Sequence, residues 1–347
     1  MFERPGWLGR REFCALAMAG AARITAAPAP VSIAYQVAGS IAWPLLIAGA
    51  GGYYAKYGVA AKPVFAAYPG GVAMLLSDQA SMLLAGLQQL LPAAVKDPSL
   101  ATIGGLMNRS TFSLIARKGI ASIRDLRGKR IAISQLGDST YGYLLAVLRE
   151  AGLSERDVQL TPVGAEPSRR AAALASGRAD ATLLSAPASF RMEDAGYRNL
   201  ANLAADKNIF TTIGYWVRRP ELTAEPGLVD GLIQGHAEAI RRFYDDKSFA
   251  VRTYLAYDRE AMAADVARTY DLYKKLELFE RVPYVLKGAV EAALDQQTGA
   301  ARSQLSDFRA SVDNSVIDRL VMQGFFVKVF GASVKAEQDE KARLSFR

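Results

Sequence analysis

Short apolar segments alternate with longer segments of helical periodicity over residues 31–218. An apolar run bounded by glycine or polar residues predicts a buried strand, and apolar positions three and four residues apart predict an amphipathic helix. The strands predicted in this way are Val31–Tyr35, Val59–Phe65, Ser81–Leu84, Thr111–Arg117, Arg130–Ser134, Val158–Val163, Ala181–Leu184 and Ile213–Arg218. The helices predicted between them are Ile41–Tyr57, one from Val72 onward, Ile123–Leu126, Ser139–Ala151 and Ser168–Ala175. Such strand–helix–strand units predict mainly parallel sheets flanked by helices.

The second part of the chain is helical in pattern from Glu225 almost to Phe330. Amphipathic runs cover Leu228–Phe243 and Ala261–Leu278. The segment after Gly331 is rich in charged residues, so it is expected to fray from the core.

Two α/β lobes are expected from this order of elements. The first lobe is assigned to residues 28–116 and 212–331, the second lobe to residues 117–211, and a charged tail to residues 332–347. The first crossover is placed at the turn Lys118–Gly119, and the strand Ile213–Arg218 is expected to return to the first lobe. Two crossovers predict a hinged protein with a ligand cleft between its lobes.

The N-terminus has the features of an export signal. Arg10 and Arg11 precede the apolar run Phe13–Ala22, and small residues follow up to a cleavage region near Ala27. The run is too short to span a bilayer. The arginine pair resembles a twin-arginine signal, and a general secretory signal remains open. The single cysteine, Cys14, lies inside residues 1–27 and would be removed with them.

Composition narrows the chemistry. The chain has 347 residues, 51% hydrophobic and 22% charged, with a formal net charge of +8. Lysine and arginine are scattered and no aromatic–basic motif accompanies them, so no nucleic-acid partner is expected. A diffuse positive field attracts anionic ligands, although a solvated basic surface explains it equally well. No Walker motif and no dinucleotide-binding fingerprint are present.

No catalytic residue, metal or cofactor is predicted. The single histidine, His236, has Leu232, Ile233 and Ile240 at helical spacing, which is typical of a core residue. One histidine and no cysteine in the mature chain exclude the usual zinc sites and Cys/His catalysis.

Polar loops follow the strands of both lobes. Asp138 or Ser139 can cap the following helix, and the hydroxyls and backbone N–H groups of Ser139, Thr140 and Tyr141 can hold the oxygen atoms of a ligand. In the first lobe, the strand-to-helix edge offers Gln36, Ser40 and Trp43, and a second edge offers Gly71. Trp43 fits either a pocket wall or the core.

Three motifs in sequence order carry a family resemblance. They read PLLIAGAGGYYAKYGV at residues 44–59, SIRDLRGKRIAIS at residues 122–134 and RRAAALASGRADATLLSAPAS at residues 169–189. Together they resemble the periplasmic substrate-binding proteins of nitrate/sulfonate/taurine-type ABC importers, over residues 31–222.

The resemblance implies a two-lobed α/β fold of the type II periplasmic-binding class, with a helical C-terminal region. It also implies a periplasmic, monomeric protein that binds a small organic anion and delivers it to an ABC permease in the inner membrane. The ligand-facing residues carried over by position are Gln36, Ser40, Trp43, Gly71, Ser139, Thr140, Tyr141, Ser185 and Pro187.

The chain departs from its relatives where the ligand is read. The segment Gln79–Ser81 replaces an aspartate-containing pattern, and Ser185 stands near Pro187 where relatives often have an aromatic residue. The nearest arginines for a sulfonate are Arg109 and Arg169, for which a solvated surface is the simpler explanation. Two alternatives remain: a ligand-sensing accessory protein of the same fold, and an enzyme similar to the thiamin-pyrimidine synthases.

Overall fold

The structure, a computed structural model, describes residues 30–36, 39–203, 213–297 and 309–347. The predicted export signal at residues 1–27, which includes Cys14, lies outside the described residues. The described strands are β1 (Val31–Tyr35), β2 (Ala61–Phe65), β3 (Met82–Gly86), β4 (Leu100–Met107), β5 (Phe112–Ala116), β6 (Arg130–Ile133), β7 (Gln159–Pro162), β8 (Ala181–Ser185), β9 (Arg198–Asn202) and β10 (Ile213–Arg218). The described helices are α1 (Trp43–Ala50), α2 (Tyr53–Lys56), α3 (Gly70–Leu76), α4 (Leu87–Lys96), α5 (Ser139–Glu150), α6 (Pro167–Ala175), α7 (Ala188–Asp194), α8 (Arg219–Ala224), α9 (Pro226–Asp245), α10 (Lys247–Tyr257), α11 (Ala263–Lys275), α12 (Lys287–Asp295), α13 (Ser315–Met322), α14 (Phe325–Phe330) and α15 (Val334–Leu344).

The strands form two five-stranded sheets of the same design, in the orders β2-β1-β3-β10-β4 and β7-β6-β8-β5-β9. In the first sheet β10 is antiparallel to both of its neighbours, and in the second sheet β5 is antiparallel to both of its neighbours. The other described pairings are parallel. Each sheet is therefore mainly parallel with one reversed strand, and the predicted two-lobed α/β fold is confirmed.

The reversed strands are the ones that cross between the lobes. β10 follows β9 of the second sheet, and β5 follows β4 of the first sheet. The strand β5 was expected to end the first lobe, but it pairs with β8 and β9 in the second sheet. The chain therefore crosses at residues 108–111, before this strand, and not at the predicted turn Lys118–Gly119. We call the first sheet with α1–α4 and α8–α15 the first lobe, and the second sheet with α5–α7 the second lobe.

The strand β4 explains why the crossover was misplaced. Every residue of β4 is buried, so the strand lacks the alternation of polar and apolar positions that marks a half-exposed strand. It also contains Gly104, where a Cβ atom would lie 2.8 Å from the carbonyl oxygen of Pro283. No strand is predicted here from the sequence, because close packing required glycine where strands usually carry branched side chains.

The helix predicted over Ile41–Tyr57 is divided in the structure. A short 3₁₀ turn covers Ser40–Ala42, and the glycine pair Gly51–Gly52 separates α1 from α2. Gly52 has φ of +65°, a left-handed conformation that ends the first helix at little steric cost.

The C-terminal segment is packed, which corrects the expectation of a frayed tail. Residues 334–344 form α15, and the ammonium of Lys341 contacts the carboxylates of Glu280 and Glu337. Ser345 forms a bridge with Leu286 just beyond this helix. Lys341 and Glu337 therefore tie this helix to Glu280 and Arg281, in the segment between α11 and α12. Among the described helices, none is at once long and apolar enough to cross a membrane.

Candidate ligand site between the lobes

Two adjoining chambers lie between the lobes, where β1, β6 and β8 reach their carboxyl ends. The inner chamber has a volume of about 30 Å³, room for roughly one or two water molecules. Its lining consists of Gln36, Gln89, Phe112, Ser134, Asp138, Thr140, Ala165, Pro167, Arg170 and Ser185. The outer chamber has a volume of about 350 Å³ and shares Pro167 and Ser185 with the inner one. Its other lining residues are Gly39, Glu166, Ser168, Ala186, Pro187, Ala188, Arg191, Tyr254, Tyr257, Asp258, Arg259 and Glu260.

Gln36 is the main polar group that the first lobe contributes to the inner chamber. Its side chain is 6% exposed, and neither its amide oxygen nor its amide nitrogen has a hydrogen-bond partner among the described residues. Gly71 leaves room for it, because a Cβ atom at that position would lie 3.0 Å from Cγ of Gln36. Gly71 lines neither chamber and acts through this close approach. A buried amide without partners is costly, so a ligand that pairs with it gains that energy back.

The second lobe contributes a hydroxyl and carboxyl network at the start of α5. Asp138 caps this helix by accepting the backbone N–H of Tyr141 at 3.0 Å, and it accepts the hydroxyl of Thr140 at 2.8 Å. The Thr140 oxygen also lies 2.5 Å from the Ser134 hydroxyl oxygen. Burial raises the pKa of Asp138. The hydroxyl of Thr140, a predicted ligand contact, is therefore held by its own lobe.

Arg170 is the buried cation of the site, and the sequence prediction missed it. Its side chain is 2% exposed, with Nε bonded to the carbonyl of Leu183 at 3.1 Å. Its Nη1 bonds to the carbonyls of Gly164 and Ala165, while Nη2 has no partner among the described residues. Burial lowers its pKa to about 10, so it keeps its charge at neutral pH.

Arg170 had a detectable sequence signal. The buried positions of α6 are Arg170, Ala173 and Leu174, a helical spacing of three and four. The neighbouring Arg169, the residue that the sequence suggests for a sulfonate, lies on the exposed side and pairs with Glu166 at 3.1 Å. Arg109 is exposed and lines neither chamber.

Three side chains that line this very small volume carry hydrogen-bond donors for which the described residues provide no acceptor. The donors are the amide nitrogen of Gln36, Nη2 of Arg170 and the amide nitrogen of Gln89. Gln89 uses its amide oxygen to accept the backbone N–H of Gly86 at 3.1 Å, which leaves its NH₂ group to donate. Such a set suits the oxygen atoms of an anionic group, with Asp138 as the one carboxyl facing them.

Ser40 connects the lobes directly. Its hydroxyl donates to the carbonyl oxygen of Ala186 in the second lobe at 2.6 Å. Its oxygen also lies 2.6 Å from the hydroxyl of Tyr273, which must be the donor because Ser40 has only one proton to give. The structure thus places this predicted ligand contact in a bond that holds the two lobes together.

Trp43 is a core residue and lines neither chamber. It is 0% exposed, and its indole N–H donates to the carbonyl of Ala250 at 2.7 Å. Its ring packs against Phe243, Tyr254 and Tyr270 at centroid distances between 4.9 and 6.2 Å. The sequence allowed Trp43 to be either a pocket wall or a core residue, and in the structure it is a core residue.

The remaining predicted contacts divide between the two chambers and the surface. Ser185 lines both chambers and Pro187 lines the outer one. Tyr141 points elsewhere, because its hydroxyl donates to Glu155 at 2.8 Å; burial, then this bond, raises the pKa of Tyr141 to about 12. Ser139 is the first residue of α5, and its side chain lies outside the described part of the structure.

Two ion pairs join the lobes beside the outer chamber: in one the second lobe supplies the cation, and in the other it supplies the anion. Arg191 of α7 lies 4.0 Å from Asp265 of α11, and Asp194 of α7 accepts from Arg268 of α11 at 3.1 Å. The guanidinium of Arg268 also sits 4.0 Å from the ring centroid of Phe190. These contacts and the Ser40 bond describe a closed arrangement of the lobes.

A comparison with known families assigns the chain. The family model described as NMT1/THI5 like matches residues 42–246, more than half of the chain. The chain belongs to the NMT1/THI5-like family. Among curated proteins, the riboflavin-binding protein RibY of Chloroflexus aurantiacus is 35% identical over 169 residues. The match covers 42% of this chain and 45% of RibY, so the chain spans less than half of that relative's length.

Solved structures with the same fold match this NMT1/THI5-like chain over most of its length. A protein of Bordetella bronchiseptica RB50 superposes with a TM-score of 0.72 at 19% identity, covering 85% of this chain and 98% of its own. The alkanesulfonate-binding protein SsuA of Xanthomonas axonopodis pv. citri, bound to MOPS, gives 0.66 at 22% identity, covering 83% and 99%. The desulfurization enzyme DszB gives 0.57 at 18% identity, covering 84% and 99%. At these identities the likeness shows the fold alone, which is that of periplasmic binding proteins.

Because an enzyme such as DszB shares this fold, it matters whether the single histidine of the NMT1/THI5-like chain, His236, lies near the cleft. His236 is 1% exposed in α9 and stacks edge-on against Tyr215 at a centroid distance of 5.1 Å. Burial lowers its pKa to about 3, and it lines neither chamber. Across residues 30–36, 39–203, 213–297 and 309–347, no three His, Cys, Asp or Glu side chains are grouped to hold a metal ion.

Proposed function

We propose that this chain is an extracytoplasmic solute-binding protein. It captures a small organic anion, such as a sulfonate, a carboxylate or a nitrate-like ion, between its lobes. It then delivers this ligand to the permease of an ABC importer in the inner membrane. The proposal includes export through the segment at residues 1–27 and action as a periplasmic monomer.

The observation that carries the proposal is the set of unused donors in the inner chamber. Gln36 has no partner for its amide among the described residues, and Arg170 keeps Nη2 unpaired while three carbonyl contacts hold its guanidinium in place. A fixed cation with a free N–H edge is suited to an oxyanion. Because the inner chamber holds only about 30 Å³, an anionic group enters it when the lobes separate and is enclosed when they close.

The relatives support a solute-binding role and suggest two ligand classes. Two SsuA structures are described as sulfonate-binding, including one from Escherichia coli with a TM-score of 0.63 at 19% identity, covering 86% of this chain and 99% of its own. RibY is described as riboflavin-binding. An organic anion agrees better with the buried Arg170, and a flavin-like ligand is the second candidate because RibY is the more identical relative.

A thermal-shift screen of the protein without residues 1–27 tests the proposal. The panel contains alkyl and aryl sulfonates, nitrate, dicarboxylates, aromatic acids, thiamin precursors and riboflavin. A ligand at about a hundred times its Kd stabilises the folded protein by about 2.7 kcal/mol, which gives a clear rise in Tm. A shift with one anionic class supports the proposal, and a folded sample with no shift in any class contradicts it.

A matched pair of variants identifies the site. Gln36→Met keeps the size of the side chain and removes an amide that has no partner among the described residues, so the fold should tolerate it. Loss of a hydrogen bond to a charged ligand costs about 1.5–3 kcal/mol, so Kd should rise at least about tenfold. Gln88→Met is the control, because the side-chain amide of Gln88 is similarly buried and has no partner among the described residues, but Gln88 lines neither chamber. Equal effects of the two variants on Kd would contradict the assignment.

Delivery to a permease is tested separately in cells. Uptake of the labelled ligand is measured in a strain that lacks this gene and in the same strain with the gene restored. Uptake that depends on the gene supports import. Ligand binding without any effect on uptake favours a ligand-sensing accessory protein of the same fold.

A further inference from the structure

The outer chamber is far larger than any inorganic anion requires. Its volume is about 350 Å³ against about 30 Å³ for the inner chamber, and the two share Pro167 and Ser185. A cavity of this size falls at the lower end of the range that holds ring-bearing small molecules. The geometry therefore separates a small polar end of the ligand from a much larger body.

The wall of the outer chamber includes two tyrosine rings from α10. Tyr257 is 38% exposed and is one of the few large apolar side chains left accessible in the described structure. Tyr254 lies beside it at a centroid distance of 6.0 Å and is itself backed by Trp43 at 4.9 Å. Packing against Trp43 fixes the ring of Tyr254, and the partly exposed Tyr257 adds a second aromatic side chain to the chamber wall.

The charges around this chamber do not favour a second anionic group. Its lining holds three acids and two bases: Glu166, Asp258 and Glu260 with Arg191 and Arg259. Arg191 forms an ion pair with Asp265 at 4.0 Å, so part of the positive charge of Arg191 is already neutralised. A ligand body placed here is better uncharged, while its single negative group lies against Arg170.

We propose that the ligand is an aromatic monoanion, with its acidic group in the inner chamber and its ring against Tyr257 in the outer one. This inference rests on the proposed function and adds the class of ligand. It assigns Tyr257 as a residue that determines specificity and Trp43 as a residue that positions the adjoining ring of Tyr254.

Calorimetric titration with four probes tests the inference: methanesulfonate, nitrate, 2-naphthalenesulfonate and riboflavin. The naphthalene compound should bind wild type at least about tenfold more tightly than methanesulfonate, since a buried ring adds apolar contact and an aromatic pair. Tyr257→Ala should remove most of this difference and leave the Kd of methanesulfonate unchanged within about twofold. Tyr257→Phe should keep the difference, because the ring and not the hydroxyl makes the contact.

Phe65→Ala is the control, because Phe65 is also 38% exposed and lines neither chamber. Equal affinity of wild type for the two sulfonates, or an equal loss of both in Tyr257→Ala, would overturn the inference and leave the proposed function intact. Binding of riboflavin without any aryl sulfonate would overturn its anionic part. Binding of none of the four probes would overturn the inference, and the proposed function would fall with it only if the carboxylates of the thermal-shift panel also gave no shift.

Discussion

Ser40→Ala should shift the protein toward an open arrangement of its lobes. The Ser40 hydroxyl donates to the carbonyl of Ala186 across the cleft, whereas its contact with Tyr273 stays within the first lobe. Loss of the Tyr273 contact therefore affects the open and closed arrangements equally. Loss of the Ala186 contact affects only the closed one, where the carbonyl is left without this donor while water replaces it in the open one.

The magnitude follows from the value of a buried hydrogen bond. A net bond contributes about 0.5–1.5 kcal/mol, and an unsatisfied buried acceptor costs about 1–3 kcal/mol. A bias of about 1–2 kcal/mol against closure weakens the apparent affinity for ligand by up to about 5- to 30-fold, because only the closed arrangement encloses the ligand. The intrinsic contacts between ligand and chamber are unchanged in this variant.

Two measurements separate this role from direct ligand contact. Titration calorimetry gives Kd, and small-angle X-ray scattering gives the radius of gyration with and without ligand. Ser40→Ala should raise both Kd and the radius of gyration of the free protein, while the saturated proteins should be equally compact. Tyr273→Phe is the control, since it removes the contact within the lobe and leaves the bond to Ala186. A weaker affinity with an unchanged free radius would refute the reasoning and restore Ser40 as a ligand contact.

Two further predictions concern stability. Burial lowers the pKa of His236 to about 3 in the folded protein, against about 6.5 in the unfolded chain. Between these pH values only the unfolded chain binds the proton, so the free energy of unfolding decreases as the pH is lowered. From pH 7 to pH 5, the free energy of unfolding of wild type should fall by about 2 kcal/mol relative to that of His236→Phe, measured by urea unfolding. Burial raises the pKa of Glu221 to about 7, which gives an opposite pH dependence, but Glu221 is present in both proteins and its contribution cancels in the comparison. A difference between the two proteins that stays the same from pH 7 to pH 5 would contradict the prediction. Truncation of residues 332–347 removes Lys341 from the carboxylate of Glu280, whose side chain is only 13% exposed, so the free energy of unfolding should fall by about 3 kcal/mol. A tail that only frays would show almost no change.

The parts of the fold that follow local patterns could be predicted from the sequence. The strands Val31–Tyr35 and Ile213–Arg218 have the predicted bounds, because each is a short apolar run with clear polar or glycine limits. The strand Leu100–Met107 escaped prediction because Gly104 and Gly105 interrupt its apolar run, and glycine inside a run argues against a strand. The packed helix Val334–Leu344 escaped because its partners are far away in sequence, and a charged segment alone does not reveal them.

The candidate site was predicted in part, and the residues missed share one cause. Gln36 and Ser185 lie at strand ends, where the topology alone brings them to the cleft. Arg170 lies on the buried face of α6, and its importance depends on what that face packs against. Ser40 and Trp43 follow β1 as predicted, but their polar atoms bond to protein groups of the C-terminal helices. Ser40 contacts Tyr273 of α11, and Trp43 donates to the carbonyl of Ala250 in α10.

These C-terminal helices limit what family membership says about the ligand. The family match ends at residue 246, while α10 and α11 cover residues 247–257 and 263–275. They supply Tyr254 and Tyr257 to the outer chamber, and Tyr273 to the contact with Ser40. The matched region therefore contains every described strand except β1 and every lining residue of the inner chamber except Gln36, whereas the two tyrosine rings of the outer chamber lie outside it. Two members can share the whole matched region and still bind different compounds, so the ligand of this chain has to be inferred from the residues beyond 246 together with those of the inner chamber.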